Sequence, residues 1–256
     1  MTKIIAVSNQ KGGVGKTTTT LNLATGLGME GKKVLLIDLD PQGNATTGSG
    51  VEKNEVEATI YEVIMGETDI NTVIHASKHH DVIPANQHLA AAELELVSKE
   101  QRVNALKNQL QQLQKSYDFI LLDCPPSLGL LTLNALTAAK SVIIPMQCEY
   151  FALEGLTDLV NTIKRVKQKM NPDIEIEGLL RTIYDSRNTL SKEVSDQLSS
   201  YFPNKVYKTI IPRNIRVAEA PSFGKSAIEH DKSSKGAKAY IDLAKEIIHI
   251  EERRNG

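Results

Sequence analysis

Asn9-Gln-Lys-Gly-Gly-Val-Gly-Lys-Thr-Thr18 concentrates three glycines and two lysines in ten residues. Gly12, Gly13 and Gly15 leave backbone N–H groups free to approach an anion, and a helix opening near Lys16 turns its positive end toward the same anion. In such a loop Lys16 is placed to reach the β- and γ-phosphates of a nucleotide, and Thr17 offers a hydroxyl to Mg²⁺. Val14 and Thr18 complete the candidate phosphate loop. Its spelling departs from the common G-x-x-x-x-G-K-[ST]. Gln10 stands at the first Gly position, and a second lysine, Lys11, precedes Gly12.

Two further stretches supply carboxylates. Leu35-Leu-Ile-Asp-Leu-Asp-Pro-Gln-Gly-Asn44 starts at the end of an apolar run, where open α/β sheets carry ligand-binding loops. Hydrolysis needs a group that orients the attacking water. Asp40 is the candidate, and Asp38 reads as a structural or outer support. Phe119-Ile-Leu-Leu-Asp-Cys-Pro-Pro-Ser127 is four apolar residues followed by Asp123. That pattern puts a carboxylate at a strand end, where it supports Mg²⁺, often through water. Thr17, Asp40 and Asp123 therefore form the candidate metal set. Cys124, not a glutamate, follows Asp123, which strengthens the case for Asp40. Pro125-Pro126 stiffens the next loop, placed to sense a γ-phosphate.

These residues need a scaffold that gathers strand ends. Lys3 to Ser8, Lys33 to Asp38, Asp81 to Pro84, Tyr117 to Asp123, Ser141 to Pro145, Ile174 to Leu180 and Val206 to Ile210 read as strands. KVLLID and YDFILLD are continuous apolar runs, as expected for strands covered on both faces. Helical spacing appears over Thr17 to Met29, Gln101 to Lys115, Leu156 to Met170 and about Ser233 to Glu252. Alternating strands and helices predict an α/β fold: a three-layer nucleotide-binding architecture with a mostly parallel central sheet flanked by helices. No Pro/Gly/Ser-rich linker or repeat interrupts residues 1–256, so one domain is expected. Gly48 to Asn86 is the least regular stretch and is read as a mobile insertion.

Apolar content of 41% and charged content of 24% are ordinary for a soluble protein. The longest apolar runs fall far below the ~18 residues of a membrane span. The N-terminus runs straight into the phosphate loop and leaves no room for a cleavable signal. Cys124 and Cys148 form no CxxC, so reduced thiols in a cytoplasm are expected. The net charge of −1 is unevenly spread. Arg181 to Tyr240 holds eleven Lys and Arg against six Asp and Glu, a balance of +5, which hints at a basic face.

KGGVGKTT together with LLIDLDPQGN and ILLDCPPSLG resembles the ParA/Soj family of partitioning ATPases, in the deviant Walker-A (SIMIBI) class. The likeness continues through RTIYDSRNTLS (Arg181 to Ser191) and the segment from Ile211 to Tyr240, and so spans most of the chain. Residues 48–115 are less diagnostic. The resemblance implies ATP and Mg²⁺ as cofactors and a homodimer with ATP sandwiched between subunits. It gives Lys11 a role across that interface, at the partner's nucleotide, and it makes Gly12 a point of close backbone approach. It places Pro212 and Arg213 in the adenine-side loop, with Arg213 serving either nucleotide or DNA, and it points to Arg187 and Arg216 for non-specific double-stranded DNA. A ParB-like centromere-binding partner is implied as the trigger of slow hydrolysis, with the protein associated with the nucleoid. No N-terminal DNA-binding extension is expected, since the chain begins at its first strand. The alternative is a MinD-like membrane-associated ATPase, which needs a basic amphipathic C-terminal helix. Here the apolar residues precede the charged tail and read as a packing face, so no membrane partner is expected. An iron–sulfur reductase is disfavoured because neither cysteine has a Gly-rich context.

Overall fold

The computed structural model describes residues 2–255. Eight strands form one sheet: β1 (Lys3–Val7), β2 (Val34–Asp38), β3 (His75–Ala76), β4 (Asp81–Ile83), β5 (Phe119–Asp123), β6 (Ser141–Met146), β7 (Glu175–Tyr184) and β8 (Val206–Pro212). Their spatial order is β3-β4-β2-β5-β1-β6-β7-β8, and every pair is parallel except the β3–β4 hairpin at one edge.

The sheet is covered on both faces, as its apolar strands require. Neighbouring residues alternate between two cores because successive side chains point to opposite faces. On β2, Leu35 and Ile37 enter one core while Val34 and Leu36 enter the other; β5 divides the same way. Helices α1 (Lys16–Met29) and α11 (Lys235–Asn255) cover one face. The opposite core takes α3 (Ile60–Met65), α4 (Leu89–Glu95), α5 (Ala105–Leu110), α6 (Leu130–Ala138), α7 (Ala152–Lys169) and α8 (Thr189–Tyr201). Three short helices stand near the ligand-facing end: α2 (Asn44–Gly48), α9 (Ile215–Glu219) and α10 (Ala227–His230).

The structure corrects two expectations. Residues 48–86 are not a mobile insertion but part of the core. Ile60, Val63, Ile70, Val73 and Ile83 are buried there, and α3 starts with a capping box between Thr59 and Glu62. Ser49 and His80 join the ends of the stretch at 3.0 Å. The helix expected over 101–115 contracts to Ala105–Leu110. Asn134 of α6 intercepts the ladder: its amide donates to the Arg102 carbonyl at 2.7 Å and its oxygen accepts from the Leu106 N–H at 3.1 Å. A helix spanning both residues would need those two groups for each other.

Candidate functional site

β1 lies between β5 and β6, so the connections leaving it and its neighbours diverge at its C-terminal end. Open sheets bind ligands at such a switch point. The loop that follows β1 holds Gly13 at φ 72° and Gly15 at φ 86°, backbone states that favour glycine. Gly15 is the N-cap of α1 and carries no side chain to cap it, so the first N–H groups of the helix remain directed outward. Asn9 braces the loop, donating to the Pro145 carbonyl at 2.8 Å while accepting from the Lys11 N–H at 3.0 Å. Thr182 donates to the Val14 carbonyl at 2.7 Å, and Gln147 to the Gly13 carbonyl at 3.0 Å.

Above the loop opens a cleft of about 470 Å³. Gly12, Gly13, Gly15, Lys16, Thr17 and Thr18 form its floor, with Asp40 and Pro126 on one side. Pro212 and Arg213 line it from the end of β8, beside the apolar surfaces of Ile211, Val217 and Tyr240. The two lysines are placed differently. Lys16 is buried, its Nζ donating to the Lys11 carbonyl at 3.2 Å, and burial holds its pKa below the ordinary lysine value against the pull of Asp123. Lys11 is half exposed and pairs with Glu149 at 2.5 Å.

Asp38 and Asp123 face each other in register on β2 and β5, both fully buried. Asp38 is consumed locally. It accepts from the Thr46 N–H and hydroxyl, each at 2.8 Å, and from the Asp40 N–H at 3.1 Å. Burial nevertheless pushes its pKa up to about 6. Asp123 accepts from the Thr20 hydroxyl at 2.8 Å through Oδ1, but its buried Oδ2 has no hydrogen-bond partner among the described residues. Burial first, and then the nearby Asp38, push its pKa up to about 8. A buried oxygen without a donor is costly unless something positive satisfies it. The hard oxygens of Thr17 and Asp123 suit Mg²⁺. Among the described residues no cluster of three or more His, Cys, Asp or Glu side chains forms a protein-only metal cage. Two protein oxygens, from Thr17 and Asp123, suit an ion that keeps waters and shares phosphate oxygens. Asp40 sits at the cleft wall with Oδ1 accepting only from the Gln42 N–H among the described contacts, at 2.9 Å.

The two arginines expected on a basic face lie outside the cleft lining, and each is paired. Arg187, its side chain 87% exposed, makes a bidentate contact with Asp185 at 3.0 and 2.8 Å. Arg216 on α9 pairs with Glu219 at 2.6 Å and lies 3.6 Å from Asp231.

Sequence reasoning missed Asn9, Gln147, Glu149, Thr182 and Ile183. Ile183 lines the cleft at φ 50°, a strained state for a β-branched residue, where the β7–β8 register shifts. Asn9 and the Thr182-Ile183 pair lie inside the quoted stretches, but nothing in those stretches marks them as site residues. The signal that points to them is topological, since all follow or end β1, β6 and β7.

A family model described as an AAA domain matches residues 2–176. The sporulation initiation inhibitor protein Soj of Bacillus subtilis is 53% identical over 249 residues, 96% of this chain and 98% of that protein. The chromosome partitioning protein ParA of Myxococcus xanthus is 48% identical over 248 residues, 96% of this chain and 88% of that protein. A solved structure of a Mycobacterium smegmatis protein described as cobyrinic acid a,c-diamide synthase, with bound ADP and magnesium, superimposes with a TM-score of 0.85 at 39% identity, covering 96% of this chain and 93% of that one. With a P-loop cleft on a mostly parallel sheet and this likeness along nearly its whole length, the chain belongs to the ParA/Soj family of chromosome-partitioning ATPases.

Proposed function

We propose that residues 1–256 work as one ATPase domain, an ATP-dependent dimerising switch for chromosome or plasmid partitioning. The observation that carries this reading is the division of labour between the lysines. Lys16 lines the cleft and is buried, while Lys11, the residue before the cleft-lining Gly12, is half exposed. Such a lysine, on leaving Glu149, would serve a second subunit's nucleotide, where a cation stabilises the charge of phosphoryl transfer. Gly12 supports the same geometry. A Cβ built there meets nothing within 4 Å in its own chain, so a second subunit is a sufficient reason for the glycine.

In this reading the loop N–H groups, Lys16 and Thr18 hold the phosphates, and Pro212 and Arg213 border the base. Thr17, with Asp123 behind it and Asp40 alongside, would hold Mg²⁺, which when bound neutralises phosphate charge. Asp40 orients the attacking water. Arg187 and Arg216 exchange their carboxylate partners for DNA phosphates once ATP has joined two subunits, so binding is sequence-independent and salt-sensitive. A ParB-like partner accelerates slow hydrolysis and releases the DNA, and the protein works on the nucleoid in the cytoplasm. A membrane-associated role is less favoured: Tyr240, Leu243, Ala244 and Ile247 of α11 are buried against the α1 side of the sheet. Among the described residues no helix is long and apolar enough to cross a membrane.

The test is binding of the purified protein to a random-sequence duplex without nucleotide, with ADP, and with ATP and Mg²⁺, across a salt series. Binding confined to ATP and falling steeply with salt is expected. Intact ATP binding with no DNA binding in any state would refute the DNA switch and leave only the ATPase.

A further inference from the structure

Helix α6 begins just after the Asp123 loop, yet its N-cap is Gly129, which has no side chain to satisfy the first N–H groups. Glu93 of α4 does so from outside. Its Oε2 accepts from the Leu130 N–H at 2.7 Å and its Oε1 from the Leu131 N–H at 3.2 Å. A carboxylate there also meets the positive end of the helix. Gly129 makes room for it, since a Cβ at that position would stand 2.3 Å from the carboxylate. Glu93 in turn rests on a fixed base. Leu89 and Ala92 of α4 are fully buried, and the next acidic residue, Glu95, accepts from the Tyr61 hydroxyl of α3 at 2.8 Å.

What lies between Asp123 and Gly129 gives this cap its meaning. The segment leaves β5 with the Cys124 N–H bonded to the Val7 carbonyl at 3.2 Å and carries Pro126 into the nucleotide cleft. Its far end is held by Glu93 and by the Thr132 hydroxyl, which donates to the Ser127 carbonyl at 2.6 Å. One end is thus set by the sheet and the other by a side chain from another helix. A cap residue within the loop would stabilise the helix equally well. A cap from α4 also fixes where the loop stands relative to the core.

We infer that Glu93 is a positioning residue for ATP hydrolysis: through the N-terminus of α6 it holds the 124–129 loop, and Pro126 with it, against the phosphate end of the cleft. The inference rests on the ATPase reading above. It separates two parts of the site. The phosphate loop and the β8 wall are independent of Glu93, so nucleotide affinity does not depend on it. The geometry around the phosphate undergoing transfer does, and small misplacements there lower the rate steeply.

The experiment compares wild type, Glu93→Ala and Glu93→Gln well below their melting temperatures. It measures kcat and KM for ATP, Kd for ADP with Mg²⁺, and hydrogen exchange of residues 124–131 with and without a non-hydrolysable ATP analogue. Glu93→Ala is expected to lower kcat by about tenfold or more while KM and the ADP Kd stay within about threefold. Glu93→Gln, which keeps an oxygen for one N–H, is expected to fall between. The analogue should slow exchange of the loop in wild type and fail to do so in Glu93→Ala. A kcat for Glu93→Ala within about twofold of wild type, or a fall matched by lost ADP affinity, overturns the inference and leaves Glu93 a structural cap. If Glu93→Ala does not fold, the Glu93→Gln comparison decides by the same criteria. Absence of ATP hydrolysis in the wild type is a separate outcome that sinks the ATPase reading itself.

Discussion

The Lys11 ammonium and the Glu149 carboxylate meet at 2.5 Å across the mouth of the phosphate loop, each about half exposed. So exposed a pair adds roughly 0–1 kcal/mol to stability. Its position matters more. In the proposed dimer Lys11 would have to leave Glu149 to reach the other subunit's nucleotide. Lys11→Ala is therefore expected to keep its melting temperature within a few degrees and its ADP affinity within about threefold, because the proposal gives the phosphates to Lys16. Hydrolysis should fall by about a thousandfold, as when a finger cation is removed. Lys16→Ala should instead lose nucleotide affinity by about tenfold to a hundredfold or more, the value of charge-assisted hydrogen bonds. Calorimetric titration and phosphate-release assays distinguish the two. Equal effects of both variants on binding would refute the division of labour.

Asp38 and Asp40 lie two residues apart and have opposite expected phenotypes. Removing Asp38 leaves the Thr46 hydroxyl and the Thr46 and Asp40 N–H groups without their acceptor. Asp38→Ala should cost about 2–4 kcal/mol in urea unfolding. Asp40→Ala should cost less than about 1 kcal/mol, since among the described contacts it frees only the Gln42 N–H. Its effect is expected in hydrolysis, with ATP-bound dimers persisting in size-exclusion chromatography. Normal turnover by Asp40→Ala would assign the water to another residue.

Arg187→Glu and Arg216→Glu each reverse a charge already held by carboxylates, at Asp185 and at Glu219. Both should weaken binding to random duplex by about tenfold and flatten the salt dependence by about one ion or more per site. ATP-dependent dimerisation should be unchanged. Unaltered DNA affinity in both variants would move the DNA surface elsewhere.

His80 provides a pH test remote from the cleft. It is 5% exposed, with Nε2 on Ser49 at 3.0 Å and a buried Nδ1 that has no hydrogen-bond partner among the described residues. Burial lowers its pKa to about 4, against smaller opposing pulls from Glu229 and Asp81. The unfolded chain, with an ordinary His pKa of about 6.5, takes up the proton first, so stability falls as pH drops from about 6.5 to about 4. The full contribution over that window is about 3 kcal/mol. Buried Asp38 and Asp123 act in the opposite direction, because their raised pKa values favour the folded state as they protonate. The measurement is therefore a difference: urea unfolding of wild type and His80→Gln at pH 7.5, 5.5 and 4.5. Wild type should lose ground to His80→Gln as pH falls, and a constant difference would contradict a neutral buried imidazole.

Short-range placement was legible in the sequence. The glycines and lysine of the phosphate loop, the aspartates at the ends of β2 and β5, and the mostly parallel sheet all follow from residue type, period and spacing, because each depends on neighbours along the chain. Tertiary structure decided the rest, because each remaining feature is a meeting of distant segments. The helix over 101–115 was cut short by an amide from Asn134, which local periodicity does not register. Residues 48–86 look irregular as a string, yet they order because Ser49 and His80 close them and Ile60, Val63 and Ile83 reach the core. Asp38 and Asp123 have similar strand-end contexts. Only the fold gives one three hydrogen bonds and leaves the other with a buried Oδ2 that has no hydrogen-bond partner among the described residues. The same holds for Glu93, whose role depends on a helix that starts far along the chain and lacks a cap of its own.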